Sequence, residues 1–136
     1  MAPGDEPTSA EVPQLPLRVL VADDSALLRR SVRVALDAAP GMEVVGEAVD
    51  GVEAVEMTID LRPQVIVLDQ QMPRLTGLSA LPQLRAACPD ARIVVWSSDG
   101  GLAAEALARG ADAFVDKAHS LIDLVAEIER YRGRSV

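Results

Sequence analysis

Aromatic residues are almost missing from this chain: Trp96, Phe114 and Tyr131 are the only three among 136 residues. Rings so few and so scattered make no stacking platform for nucleic acid. Cysteine occurs once, at Cys88, which excludes an internal disulfide and reads as a packing residue at a helix end. Histidine also occurs once; His119 has no ligand cluster around it and reads as a solvent-facing loop residue. Lysine is scarcer than the charge suggests. Of 13 basic residues 12 are arginine, and Lys117 is the single lysine. A chain that otherwise uses guanidinium but has one ammonium marks that position for specific chemistry. Acids outnumber bases, 21 to 13, for a net charge of −8 and a pI near 4.5, so nonspecific attraction to nucleic acid or anionic lipid is excluded. No apolar run approaches the ~20 residues needed to cross a bilayer. No basic or apolar signal-peptide region precedes Arg18, so a cytoplasmic protein with no membrane and no direct nucleic-acid contact is expected.

What is present is a composition 49% apolar and 25% charged, enough for one compact core. Residues 1–17 hold four prolines, Pro3, Pro7, Pro13 and Pro16, without apolar periodicity and read as a flexible leader; the folded domain is expected over residues 18–134. From Arg18 onward, branched apolar runs at 19–22, 44–48, 65–68, 93–96 and 113–115 alternate with helical patterns. The first helix carries Leu28, Val32, Ala35 and Leu36 and stops before Pro40-Gly41. In the second, Asp50 and Glu53 stand at capping-box spacing ahead of a face formed by Val52, Val55 and Ile59, which ends at Pro63. Leu78, Leu81 and Leu84 define the third, where Pro82 removes a donor and predicts a late start or a kink. A short fourth helix is expected over 102–109 with Gly110 as its stop, and a fifth capped by Ser120 with Leu121, Leu124, Val125 and Ile128 on one face. Strict alternation of strand and helix implies a doubly wound α/β parallel sheet with helices on both faces.

Chemistry gathers at the strand ends. Strand one ends in Asp23-Asp24, strand three in Asp69, strand four in Ser97-Ser98 and strand five in Asp116-Lys117. In such sheets ligands bind beyond the carboxyl ends of the strands, where strand order reverses. Adjacent strands lie ~4.8 Å apart, so with strands one and three neighbouring there, three carboxylates share one small site. They raise one another's pKa unless a cation lies between them. Oxygen ligands without a Cys or His cluster favour a hard divalent ion, Mg²⁺ or Mn²⁺, over zinc. Each residue alone has a plainer reading: an Asp after a strand often only caps the next helix, a Ser turns the chain, and a Lys is surface charge. It is the joint arrangement that points to a site.

The pattern of Asp23-Asp24, Asp69 before Met72-Pro73 and Gly77, Ser97-Ser98, and Lys117 after Phe114 resembles the receiver domain of bacterial two-component response regulators. The resemblance covers about residues 18–132 and implies a flavodoxin-like three-layer sandwich with strand order 2-1-3-4-5. It implies that Asp69 accepts a phosphoryl group from a histidine kinase or a phosphotransfer protein. Asp23, Asp24 and Asp69, with the backbone carbonyl of Gln71, would hold Mg²⁺, and Ser97 and Lys117 would contact phosphoryl oxygens. Ser97 and Phe114 would form the switch that relays the state to an output protein, or to a second copy of the chain, through the face of helix four, strand five and helix five. The chemistry agrees: a carboxylate can be the nucleophile toward phosphorus, and in-line transfer needs positive charge on the equatorial oxygens. On this reading Lys117 serves the phosphoryl group rather than the fold, and Lys117→Ala is expected to hold or slightly raise thermal stability.

Three departures from the family pattern are visible. Ala118 follows Lys117 where the family usually has proline, often cis. The segment between Ser97 and Lys117 is short, with Asp99-Gly100-Gly101 in place of helix-starting sequence. Gln71 occupies a position whose side chain, in such domains, influences how water reaches the phosphate. Two alternatives compete. An aspartate-nucleophile phosphohydrolase also uses Mg²⁺ and a strand-end Asp, but needs a second acid two residues on; neither Asp23-Asp24-Ser25 nor Asp69-Gln70-Gln71 has that spacing, and no enzyme is expected. An interaction module that keeps the fold without phosphorylation is suggested by Ala118 and the short fourth helix, and opposed by the intact acid set. Nucleotide-binding glycine motifs are absent.

Overall fold

The computed structural model describes residues 15–119 and 121–132. Most of the expected leader, and Ser120 with its expected capping role, lie outside the described residues. Five strands, β1 (Leu17–Ala22), β2 (Met42–Ala48), β3 (Val65–Leu68), β4 (Arg92–Ser97) and β5 (Ala113–Asp116), alternate with helices α1 (Ala26–Asp37), α2 (Gly51–Leu61), α3 (Gly77–Ala87), α4 (Ala103–Ala108) and α5 (Leu121–Glu129). All strand pairs are parallel, in the order β2-β1-β3-β4-β5. β1 begins one residue before the expected domain start, because Leu17 pairs with Met42 and is buried.

Successive strand residues point to opposite faces, so a strand covered on both sides must be apolar throughout. β3 meets that requirement at all four residues. Val19, Val21, Val65, Val67, Val94 and Trp96 pack under α1 and α5, against Val32, Leu36, Leu124 and Ile128. Leu20, Ala22, Ile66, Leu68, Ile93 and Val95 pack on the other face against α2, α3 and α4.

Side-chain caps start the first three helices. Ser25 caps α1 by accepting from the Leu28 N–H at 3.2 Å. Asp50 caps α2 through the Glu53 N–H at 2.8 Å, and the Glu53 carboxylate returns to the Val49 N–H at 3.2 Å. The expected face of α2 is corrected: Gly51, Ala54 and Thr58 are buried while Ile59 is 57% exposed. Small residues hold the most buried positions because α2 also packs against α3 and lies close, while Val55 of the expected face and Met57 pack partly buried against the same core. The expected late start of α3 is also corrected. It begins at Gly77 under a Thr76 cap and runs through Pro82. Losing one helical bond to proline costs ~3 kcal/mol, whereas burying Leu78, Leu81 and Leu84 contributes about 2 kcal/mol each. The short fourth helix is present, preceded by a 3-10 turn at Gly100–Leu102 that Asp99 caps through the Gly101 N–H.

Candidate functional site

Strand register builds the site. Ala22 pairs with Leu68 and Leu68 with Val95, and the ladder continues one step beyond the strands: the Asp69 N–H donates to Ala22 O at 2.9 Å and the Asp23 N–H to Ala48 O at 3.0 Å. Asp23 and Asp69 are thereby fixed side by side at the carboxyl edge, both buried, with Asp24 exposed at the rim. One carboxylate oxygen from each of the three lies within 4.8 Å of the others. From β5, Lys117 reaches across β4, its Nζ 2.7 Å from Asp23 Oδ2 and 3.1 Å from Asp69 Oδ1. Its backbone is pinned by a 2.9 Å bond from its N–H to Ser97 O.

The plainer reading of the aspartates as helix caps does not hold, because Ser25 takes that role. Asp23 Oδ1 accepts from the Ser25 N–H at 2.9 Å, and its other oxygen meets Lys117. Burial pushes the Asp69 carboxyl above the ordinary range and the Asp23 charge adds to it; the Lys117 ammonium and the Gln71 N–H pull it partly back. Two buried carboxylates against one lysine leave the pocket short of positive charge. An all-oxygen donor set of this charge fits a hard divalent cation. Asp23, Asp24 and Asp69 would hold Mg²⁺.

Of the remaining expected residues, Ser97 ends β4, buried, and its hydroxyl oxygen accepts from the Asp99 N–H at 3.2 Å. Phe114 is half-buried on the α2–α4 face of the sheet. The Gln71 side chain is exposed while its N–H supports Asp69. After Lys117 the chain turns on Asp116, whose carboxylate accepts from the Ala118 N–H at 2.8 Å; among the described residues no peptide bond is cis. A cleft of about 640 Å³ opens beside the acids, lined by Asp24, Gln71, Met72, Thr76, Asp99 and Leu102.

Several supporting residues are not evident from the sequence. Arg29 Nη1 donates to Asp23 O at 2.6 Å while its Nε reaches Glu47 at 3.1 Å, tying α1 and β2 to the strand end. Arg74, in the left-handed region at φ 65°, places its guanidinium 2.7 Å from the buried Asp50 carboxylate. Gln70 accepts from the Leu78 N–H at 2.7 Å. A Cβ on Gly77 would lie 2.1 Å from Asp69 O, so only glycine lets α3 start against the site loop. These contacts join residues 6 to 24 positions apart and have no local pattern; Gly77 was legible only as part of the motif.

A doubly wound sheet in this strand order, with three acids and a lysine at the carboxyl edge where such sheets bind ligands, defines a flavodoxin-like receiver fold. The family model of the response regulator receiver domain matches residues 19–129, and the chain belongs to that family. The protein-glutamate methylesterase/protein-glutamine glutaminase of Thermotoga maritima is 43% identical over 111 residues, 79% of this chain and 32% of that protein. A Geobacter sulfurreducens protein of the same description is 51% identical over 79 residues, 58% of this chain and 22% of its own length. This chain therefore spans a third or less of these curated relatives. Among solved structures, the response regulator domain of Thermotoga maritima CheB superposes with a TM-score of 0.78 at 39% identity, covering 85% of this chain and 95% of that one. The Francisella response regulator 1452 receiver domain gives 0.77 at 28% identity, covering 86% and 97%.

Proposed function

We propose that the chain is a cytoplasmic phosphoryl-accepting switch of a two-component phosphorelay, modified on Asp69 by a histidine kinase or phosphotransfer protein. The observation that carries this reading is the joint placement of a buried Asp69, two further carboxylates and Lys117 at one sheet edge. An Asp69 oxygen attacks phosphorus in line while the bond to the donor atom breaks, the bonding pair leaving with the donor and an acyl phosphate forming on Asp69. Mg²⁺, held by Asp23, Asp24, Asp69 and the Gln71 carbonyl, would supply charge to the phosphoryl oxygens. Lys117 is already within ion-pair distance of the nucleophile and can turn its ammonium from Asp23 to a phosphoryl oxygen. The Ser97 hydroxyl accepts from Asp99, so its own proton is free to donate to another.

That contact would draw the β4–α4 loop inward. Phe114 lies on the same face of the sheet as α4, which buries only Ala106, so this corner is weakly held and a shift of the loop can change the burial of the ring. The α4, β5 and α5 face then signals to an output protein or to a second copy of the chain. The methylesterase and glutaminase activities named for the relatives belong to proteins at least three times the matched length, and none is proposed for these residues. The test is mass spectrometry after incubation with acetyl phosphate and Mg²⁺. One phosphoryl should appear on Asp69 and be lost in Asp69→Asn; a label of equal extent remaining elsewhere in that variant refutes the assignment.

A further inference from the structure

Trp96 stands beside the site without belonging to the receiver motif. It is the next-to-last residue of β4, 4% exposed, and it pairs in register with Val115, two residues before Lys117 and pointing to the same face of the sheet. The Lys117 Nζ lies 5.0 Å from the centroid of the Trp96 ring. The ammonium is thus held by two carboxylates and by an aromatic face. Trp96 also carries an unmet cost: its indole N–H is buried and meets no acceptor among the described residues. Phenylalanine or leucine would pack there without leaving a donor unsatisfied. The indole face, the most attractive of the aromatic faces for a cation, is what offsets that cost.

We propose that Trp96 is a positioning residue for Lys117, holding its ammonium in the acid pocket in the resting state. Two consequences oppose each other. A lysine held between Asp23 and Asp69 competes with a divalent cation for the same carboxylates, so the ring weakens Mg²⁺ binding. The same hold keeps the ammonium desolvated and next to the nucleophile, so the ring speeds phosphoryl acceptance. A purely structural tryptophan would not divide its effects in this way, since a disturbed pocket loses both properties together.

The single lysine makes a direct test available. In protein carrying isotope-labelled lysine, the ε-methylene signal reports Lys117 alone. It should lie upfield of free lysine in the metal-free wild type, partly so in Trp96→Phe, and at the free position in Trp96→Leu. An unshifted wild-type signal overturns the proposal. Calorimetric titration should show Mg²⁺ binding Trp96→Leu about two- to thirtyfold tighter, the span between an exposed and a desolvated cation–π contact. Labelling by acetyl phosphate at saturating Mg²⁺ should slow by a similar factor, with Trp96→Phe between the two and carrying the test if Trp96→Leu fails to fold. Weaker Mg²⁺ binding, or unchanged labelling, in the variants would mean that Trp96 only packs. The proposal rests on the phosphoacceptor reading for its consequences, yet the lysine signal needs neither metal nor phosphate. An upfield signal with no label on Asp69 therefore fails that reading alone.

Discussion

Asp69 and Lys117 illustrate how one pocket imposes opposite demands on stability. The Asp69 carboxyl titrates above the ordinary range, chiefly through burial and then through the Asp23 charge. An acid raised in the folded state binds its proton there while the unfolded chain has already released it. Stability therefore falls as pH rises from the ordinary carboxylate range to the raised value, and the penalty is constant above it. Asp69→Asn should accordingly melt a few degrees above wild type at neutral pH without metal, and the gap should close near pH 4. A gap that grows on acidification would contradict this. For Lys117→Ala the structure reverses the expectation drawn from sequence. The lysine is the counterion of two buried carboxylates, and its removal should cost about 2 kcal/mol, less than the 3–5 kcal/mol of fully buried pairs because Lys117 keeps some exposure. Denaturant unfolding would measure the loss, and millimolar Mg²⁺ should restore part of it by supplying the missing charge.

At the scale of elements, the β3–α3 loop is clamped at both ends by glycine. Gly51 opens α2 with its N–H on Leu75 O at 3.0 Å, where a Cβ would come within 2.2 Å of that oxygen. Gly77 opens α3 with its N–H on Gln70 O at 3.1 Å, where a Cβ would come within 2.1 Å of Asp69 O. Between them run Gln71, Met72 and Pro73, the segment that borders the acids. Gly77→Ala must push backbone from backbone, with no flexible side chain to yield, and should cost about 2–3 kcal/mol. It should also weaken Mg²⁺ binding, because the displaced backbone carries the Asp69 carbonyl and the Gln71 amide. Thermal unfolding together with calorimetric titration checks both; a variant that loses stability but binds Mg²⁺ as wild type would separate the loop from the site.

Over the whole molecule, the two ends of the sheet do different work. At the amino edge, Arg85 and Arg92 converge on Asp112, 2.6 and 3.6 Å away, and Arg92 lies over Tyr131. Two guanidinium groups share one carboxylate there. At the carboxyl edge three acids face one lysine, within a chain of net charge −8. A cation that binds only the folded state stabilises it by mass action, about 2.7 kcal/mol at one hundred times its Kd. Mg²⁺ should raise the melting temperature of wild type with the logarithm of its concentration once that exceeds the Kd, and Asp23→Asn or Asp24→Asn should move the onset to higher concentration. The same onset in all three proteins would place the ion elsewhere.

Which parts were legible in the sequence follows from the range of the interactions involved. Alternating apolar runs and helical spacings are local, so the five strands, the α2 cap and the parallel α/β class could be read from them. The acids and the lysine could be read too, since each ends its own apolar run and together they match a family motif. The α2 face and the start of α3 could not: Ile59 and Pro82 were judged by local pattern, whereas helix–helix proximity and the burial of three leucines decided them. The partners of Lys117 are the sharpest case. Ninety-four residues separate it from Asp23, and only strand order and register bring the two within 2.7 Å. Sequence determined that an ammonium stands at the end of β5. Tertiary structure decided that it neutralises buried carboxylates beside an indole face, because charge, burial and distance exist only once the sheet has formed.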